Sequence, residues 1–352
     1  MSDRLEKLRR KIASAKLDAI LVSQGENRRY LSGFTGSAGF LLISEKSAIL
    51  ATDFRYTEQA KNQAPDFDIA RIEGEIQKWF PQLIASVEAD RIGFEANGLY
   101  FATYHQLAAN AGKKEFVPTE GFVESLRAIK DDKELELITR AVEISDAAFD
   151  EVASTIRYGM TEKEVAWDLE KTMREKGSES MPFEIIVASG PNAALAHHKP
   201  TERNIRLGEP VVIDMGARIE GYSSDLTRTI CLGNQDEVFG KIYHLVLQAQ
   251  LAAIAAIKEG MTGEEADGLA RTVIEQGGHG ENFGHGLGHG VGLAPHEQPR
   301  LGKGSRDILT EGMVFTIEPG IYISGWGGVR IEDTAVLENG RARVLSRAGK
   351  ID

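Results

Sequence analysis

The chain has 352 residues, 53 of them acidic against 41 basic, for a formal net charge of −12, and 42% are hydrophobic. That length suits two domains, and an acidic total without a basic block argues against nucleic acid or an anionic membrane surface as partner, because both call for clustered Lys and Arg. Cys231 is the only cysteine, which rules out an intrachain disulfide and with it the disulfide-rich secreted class.

The N-terminus, Met1-Ser2-Asp3-Arg4-Leu5-Glu6-Lys7, alternates charge where a signal peptide needs an apolar core, and the apolar run over residues 251–257 is far shorter than a bilayer span. A soluble cytoplasmic protein acting on a small molecule or peptide is expected. Leu5, Leu8 and Ile12 recur at helical spacing, Ala19-Ile20-Leu21-Val22 reads as a buried strand, and residues 33–39, three of them glycine, read as a loop. Strand signals follow at residues 40–43, 48–52, 67–72 and 91–94, alternating with helical stretches near residues 56–64, 77–87 and 104–111. This pattern predicts an α/β domain over residues 1–124. The charged stretch Leu126-Arg127-Ala128-Ile129-Lys130-Asp131-Asp132-Lys133 marks the boundary, with a long helix opening near Asp132.

The second domain, residues 125–352, contains a repeat. Gly159-Met160-Thr161 with Glu164 and Gly177 is matched 101 residues later by Gly260-Met261-Thr262 with Glu265 and Gly278. Each Thr-x-x-Glu is a capping box that opens a helix, and each follows a helix-like segment, residues 133–156 and 237–257. Agreement at five positions under one offset predicts a domain of two related halves. Such an architecture places a site between them.

Five segments of this domain carry acidic or imidazole groups on chain that otherwise reads as buried strand. In Val211-Val212-Ile213-Asp214-Met215-Gly216 and Tyr222-Ser223-Ser224-Asp225-Leu226-Thr227, a four-residue hairpin loop at residues 218–221 would set Asp214 directly opposite Asp225, their Cβ atoms about 4.5 to 5.5 Å apart. Two carboxylates so placed repel unless a proton or a cation lies between them. The run Gly284-His285-Gly286-Leu287-Gly288-His289-Gly290-Val291-Gly292 disfavours helix and reads as extended. His285 and His289 are then about 13 Å apart along a straight strand, so one is a ligand and the other a more distant partner. Glu318 ends the apolar stretch Val314-Phe315-Thr316-Ile317 at a Pro-Gly turn, and Glu332 is expected mid-strand with Arg330 on the same face. Two Asp, two Glu and one His form a hard, oxygen-rich set for two divalent cations, better suited to Mn and related ions than to a thiolate-seeking structural zinc. Paired cations of this kind activate water and polarise a carbonyl, which is metal-assisted hydrolysis.

With these five segments in this order, the chain resembles the Xaa-Pro peptidases of the creatinase, prolidase and methionine aminopeptidase superfamily, the pita-bread metallopeptidases. The likeness spans nearly the whole chain, and no ligand position departs from the pattern. It implies an α/β N-terminal domain joined to an α+β pita-bread domain with an internal pseudo-two-fold repeat. It implies that Asp214 and Asp225 bind one ion, that His289 and Glu318 bind the other, and that Asp225 and Glu332 bridge them, with Mn favoured and Co or Zn possible. Glu318 would also carry a proton from the attacking water. In Ala188-Ser189-Gly190-Pro191-Asn192-Ala193-Ala194-Leu195-Ala196-His197 the histidine would contact substrate, His296 would stabilise the tetrahedral intermediate, and His285 and Arg330 would support pocket and ligands.

The segments Tyr30-Leu31-Ser32-Gly33-Phe34-Thr35-Gly36-Ser37-Ala38-Gly39 and Thr52-Asp53-Phe54-Arg55-Tyr56 look like the N-terminal domain of short bacterial aminopeptidase P and prolidase proteins. That resemblance implies a homodimer acting on proline-containing peptides. The leading expectation is an aminopeptidase that removes the residue before proline, with Phe183 as a candidate wall for the proline ring. The alternative is a strict Xaa-Pro dipeptidase, which needs a cation for the free proline carboxylate, and Arg300 is its candidate. A metal-free peptide-binding module is the reading from another class.

Overall fold

The computed structural model describes residues 3–235 and 237–351. The chain divides into compact units over residues 1–127 and 128–352, three residues beyond the expected boundary.

The first unit holds α1 (Asp3–Ser14), β1 (Ala19–Val22), α2 (Gly25–Ser32), β2 (Phe40–Ser44), β3 (Ala48–Thr52), α3 (Thr57–Gln63), β4 (Asp68–Arg71), α4 (Ile76–Ala85), β5 (Arg91–Glu95), α5 (Phe101–Ala109), β6 (Glu115–Thr119) and α6 (Glu124–Arg127). Among the described residues the strands form one sheet in the order β4-β3-β2-β1-β5-β6. β1 is parallel to β5 and antiparallel to β2. Central β1 is buried along its whole length, as an uninterrupted apolar run requires. Three elements, α2, β6 and the one-turn α6, lack a sequence signal. β6 carries Glu115 and Pro118, which an edge strand tolerates and a central one does not. The polar helix α2 buries Tyr30 and Leu31 within the unit.

The second unit opens on α7 (Asp132–Ala153), whose capping box joins Asp131 and Glu134. There follow α8 (Glu162–Glu175), β7 (Ile186–Ser189), β8 (Pro210–Met215), β9 (Arg218–Ile219), β10 (Tyr222–Ser223), β11 (Leu226–Cys231), α9 (Glu237–Ala256), α10 (Gly263–Gln276), β12 (Gly288–Gly290), β13 (Glu297–Leu301), β14 (Val314–Ile317), β15 (Gly320–Ile323), β16 (Gly327–Arg330), β17 (Asp333–Glu338) and β18 (Arg341–Val344). The strands assort into sheets β11-β8-β7 and β13-β12-β14-β17-β18, with hairpins β9-β10 and β15-β16 beside them. By length and hydropathy α9 could cross a bilayer. Its residues Phe239, Ile242, Val246, Ala249 and Ala253 are instead buried at helical spacing in the core of this unit.

The repeat is structural. α8 and α10 are both 14 residues long, each opened by its Thr-x-x-Glu box. The glycines before and after them adopt left-handed conformations in both copies, φ +88° and +106° at Gly159 and Gly177, +84° and +82° at Gly260 and Gly278. In each half a central strand, β8 or β14, is flanked by antiparallel partners.

Two local expectations are corrected. The hairpin at residues 218–223 closes with two residues, Glu220 and Gly221, both at positive φ (+45° and +79°), so Ile219 pairs with Tyr222. In the β8–β11 ladder Asp214 therefore faces Thr227, and Asp225 lies at the junction of β10 and β11 rather than opposite Asp214. Glu332 is likewise not mid-strand. It sits between the end of β16 and the start of β17, where the chain passes from one sheet to another.

Candidate active site

Each predicted ligand lies in a strand or within one or two residues of one, so the backbone pairing beside it fixes its position. Asp214 is on β8, Asp225 immediately precedes β11, His289 is central in β12, Glu318 follows β14, and Glu332 precedes β17. The glycine alternation around His289 now has a physical reason. A Cβ at Gly288 would fall on the carbonyl oxygen of Thr316, and one at Gly290 on that of Gln298, so only glycine lets β12 sit this close to its neighbours.

Asp225, His289 and Glu332 bring donor atoms within 4.8 Å of one another. His289 Nε2 lies 3.3 Å from Glu318 Oε1 and 3.7 Å from Asp225 Oδ2. The His289 Nδ1–H donates to the Gly290 carbonyl at 3.1 Å, which leaves Nε2 bare toward the carboxylates. Three threonines hold the set. Thr227 Oγ1 donates to Glu332 Oε2 at 2.6 Å, Thr316 Oγ1 donates to Glu318 Oε1 at 2.9 Å, and Thr334 Oγ1 donates to the Asp225 carbonyl at 2.8 Å. Arg330 Nη2 donates to Asp214 Oδ2 at 2.7 Å, while Asp214 Oδ1 is buried without a hydrogen-bond partner.

The electrostatics follow from crowding acids in a dry place. Burial, then the carboxylates of Glu332, Asp214 and Glu318, hold the Asp225 pKa well above its ordinary value. Glu332 is raised well above its own by burial and by Glu318 and Asp214, and Glu318 is raised chiefly by burial. Burial also lowers His289, favouring the neutral imidazole that a metal requires. Four clustered carboxylates, one bare imidazole nitrogen and an orphaned buried oxygen on Asp214 fit hard divalent cations.

The ligands open onto a cavity of about 440 Å³ that is also lined by Phe183, His197, His285, His296 and Arg330. Every predicted site residue but one is thereby brought together. Arg300 is the exception: on β13 its guanidinium turns to solvent and donates to the Lys303 carbonyl at 3.0 Å, and its backbone N–H donates to Asp307. The cause is its local loop, which supplies acceptors nearer than the cavity. The His296 ring lies 4.0 Å from that of His289 between centroids, tilted by 39°. Desolvation of its ring and the neighbouring imidazole lower its pKa to about 4, although the residue stays solvent-accessible. His285 and His289, too far apart on a straight strand, reach one cavity because β12 spans only Gly288–Gly290 and the chain before it bends.

The sequence did not reveal Tyr322. Its hydroxyl accepts from Arg330 Nη1 at 2.7 Å and donates to His285 Nε2 at 2.9 Å, which links the arginine that steadies Asp214 to the cavity histidine. A tyrosine in Ile321-Tyr322-Ile323 carries no signal of that role by itself.

Comparison with known proteins places this site in a family. The chain matches metallopeptidase family M24 over residues 136–339 and the creatinase/prolidase N-terminal domain over residues 4–129. It is 38% identical over 347 residues to an Xaa-Pro dipeptidase of Pyrococcus horikoshii, covering 98% of this chain and 97% of the relative. Among solved structures it superposes on the Xaa-Pro dipeptidase from Bacillus anthracis with a TM-score of 0.96 and 43% identity, covering 99% of this chain and 98% of that one. The X-Pro aminopeptidase from Thermotoga maritima gives a TM-score of 0.90 and 37% identity, covering 99% of both chains. This chain belongs to the M24 metallopeptidases, as one of the Xaa-Pro peptidases with the pita-bread fold.

Proposed function

We propose that the protein is an Xaa-Pro dipeptidase working with two divalent metal ions, manganese first among them and cobalt or zinc as alternatives. The observation that carries this reading is the convergence of Asp214, Asp225, His289, Glu318 and Glu332 on one cavity that is also lined by His197, His296 and Phe183. The five ligands would hold the metals, which when bound activate water and polarise the scissile carbonyl.

The chain's own groups supply the rest. Thr316 occupies Oε1 of Glu318, so Oε2 is the oxygen left to take a proton from the attacking water and return it to the departing proline nitrogen. Burial raises the Glu318 pKa, which suits a group that must both accept and release a proton. His197 and His296 offer ring N–H groups to the oxygen that gains charge at the scissile carbonyl. Phe183 and Ile186 give the apolar wall that a pyrrolidine ring fills. Arg330, tied to Tyr322 and to Asp214, keeps the ligand carboxylate aimed.

The sequence leads with the aminopeptidase reading, but the near-full-length similarity to proteins named Xaa-Pro dipeptidase favours the dipeptidase, while the Thermotoga relative supports the aminopeptidase. Rates of hydrolysis of Xaa-Pro and Xaa-Pro-Xaa, measured after chelation and after adding Mn back, decide between them. A preference for the dipeptide supports the proposal. A preference for the longer peptide turns the assignment to the aminopeptidase, and no cleavage of either with Mn, Co or Zn overturns Xaa-Pro specificity. The same reading carries the expectation of a homodimer, which analytical ultracentrifugation would test.

A further inference from the structure

Helix α8 begins with a fully buried carboxylate that belongs to no ligand set. Glu162 Oε1 accepts from Ser189 N at 2.8 Å, Ser189 Oγ at 2.8 Å and Asn192 Nδ2 at 2.9 Å. Its Oε2 accepts from His198 Nε2 at 2.9 Å, Thr201 N at 3.0 Å and Thr201 Oγ1 at 2.7 Å. All six donors lie in residues 189–201, the segment that carries His197 and His198 along the cavity wall. Burial pushes the Glu162 carboxyl up, and the bonds from Thr201, His198, Asn192 and Ser189 outweigh it, so that its pKa stands at about 2.

The fold itself does not ask for this acid. Capping of α8 is done by Thr161 and Glu164, and capping of α10 by Thr262 and Glu265 in the same geometry. The backbone also repeats, since Glu162 N donates to the Arg203 carbonyl at 3.1 Å and Gly263 N to the Asp307 carbonyl at 2.8 Å. At the position of Glu162 the second half has Gly263, where a Cβ would fall on the Arg300 carbonyl oxygen. One half packs backbone against backbone there. The other inserts a carboxylate that gathers six bonds from a single cavity-wall segment.

We propose that Glu162 is a positioning residue: it holds residues 189–201 against the first turn of α8 and so sets His197 where it meets the substrate. The inference rests on the peptidase reading for the role of His197, but its physical core does not. Hydrogen exchange tests that core, because Ser189 and Thr201 donate their backbone N–H groups directly to Glu162. In Glu162→Gln, exchange at residues 189–201 should rise at least about tenfold while the counterpart region, residues 288–305, keeps wild-type protection. Unchanged exchange at residues 189–201 overturns the proposal whatever the activity.

Kinetics on an Xaa-Pro dipeptide test the consequence. Glu162→Gln should lower kcat about tenfold or more with metal content unchanged, the scale on which outer partners of an active group act. The double variant Glu162→Gln/His197→Ala should be no slower than His197→Ala alone, since an acid that works through His197 has nothing left to position. Losses that multiply, or loss of metal in step with activity, overturn it. If Glu162→Gln does not fold, Thr201→Ala removes one of the six donors and should show the same masking by His197→Ala with a smaller loss. A wild-type chain that cuts no Xaa-Pro bond defeats the functional reading instead, and leaves the exchange result standing.

Discussion

In the first half of the catalytic unit β8 carries Asp214 near its end, and in the second half β14 is followed by Glu318, 104 residues later. Across from Asp214 stands Thr227, whereas the chain facing Glu318 runs through Glu332 into β17. Thr227 spends its hydroxyl on Glu332 of the other half, and Arg330 of the second half spends its guanidinium on Asp214 of the first. The duplication therefore supplied a scaffold with equivalent strand ends, and divergence made each half dependent on the other. An acid in one half is steadied by a group from its counterpart. Neither half holds all five of the acids and the imidazole that converge on the cavity, which is why the site lies between them.

The hardest way to break that dependence is to remove a ligand placed between both halves. Asp225→Asn keeps the size of the side chain and removes its charge, while His289, Glu318 and Glu332 stay in place. Because a metal's Lewis acidity is worth several kcal/mol of barrier, activity should fall on the order of 10³-fold or more. Metal content, read by elemental analysis, should fall with it. His296→Ala should lower turnover while retaining both ions, and loss of both ions in that variant would refute the role given to it.

A second contrast is between Glu162 and Gly263, and pH sharpens it. The Glu162 pKa falls from an ordinary 4.5 to about 2 in the folded chain. Between those values the unfolded chain binds the extra proton, so stability rises with pH across the window. The contribution of Glu162 is thus complete above about pH 5 and lost as the pH falls toward 2, a span worth roughly 3 kcal/mol. Denaturant unfolding of wild type and Glu162→Gln should differ most near neutrality and converge in acid. A gap that is constant with pH would mean that the charge of Glu162 contributes nothing to stability.

Much of this was readable without coordinates, and the failures have physical causes. The acids that line the cavity were legible because a carboxylate after Val-Val-Ile or Val-Phe-Thr-Ile is costly in a buried strand unless something neutralises it. The repeat was legible because helix caps depend on a few local residues. The register of Asp225 was not, since it turned on a glutamate, Glu220, adopting a positive φ that sequence gives no reason to expect. Thr227, Thr316, Thr334 and Tyr322 were invisible because a hydroxyl declares its partner only in space, 105 residues away for Thr227 and Glu332. Arg300 was misplaced for the opposite reason. It lies directly across from His289 in the β12–β13 pair, yet its side chain satisfies itself in the loop that follows. Glu162 could have been found by setting the two repeats side by side and asking where a charge in one is a glycine in the other.

The mildest perturbation tests whether the halves are equal where they look equal. In both boxes the threonine hydroxyl accepts from the N–H of the residue three places on at 3.1 Å, and the glutamate returns to the threonine N–H at 2.7 Å in the first half and 2.8 Å in the second. Thr161→Ala and Thr262→Ala should therefore each cost about 1 kcal/mol of unfolding free energy. Scaffold geometry alone predicts matching losses, to within a few tenths of a kcal/mol at neutral pH. The adjacent residue, however, differs. Thr161 precedes an acid whose side chain anchors the cavity wall, and Thr262 precedes a glycine that has no side chain to do so. If fraying at the first turn of α8 loosens Glu162, Thr161→Ala should reduce kcat by a factor that Thr262→Ala does not, although the two lose the same stability. Equal stabilities with unequal turnover would locate the functional asymmetry at that one helix end, and equal turnover would show that Glu162 keeps its six bonds without the cap.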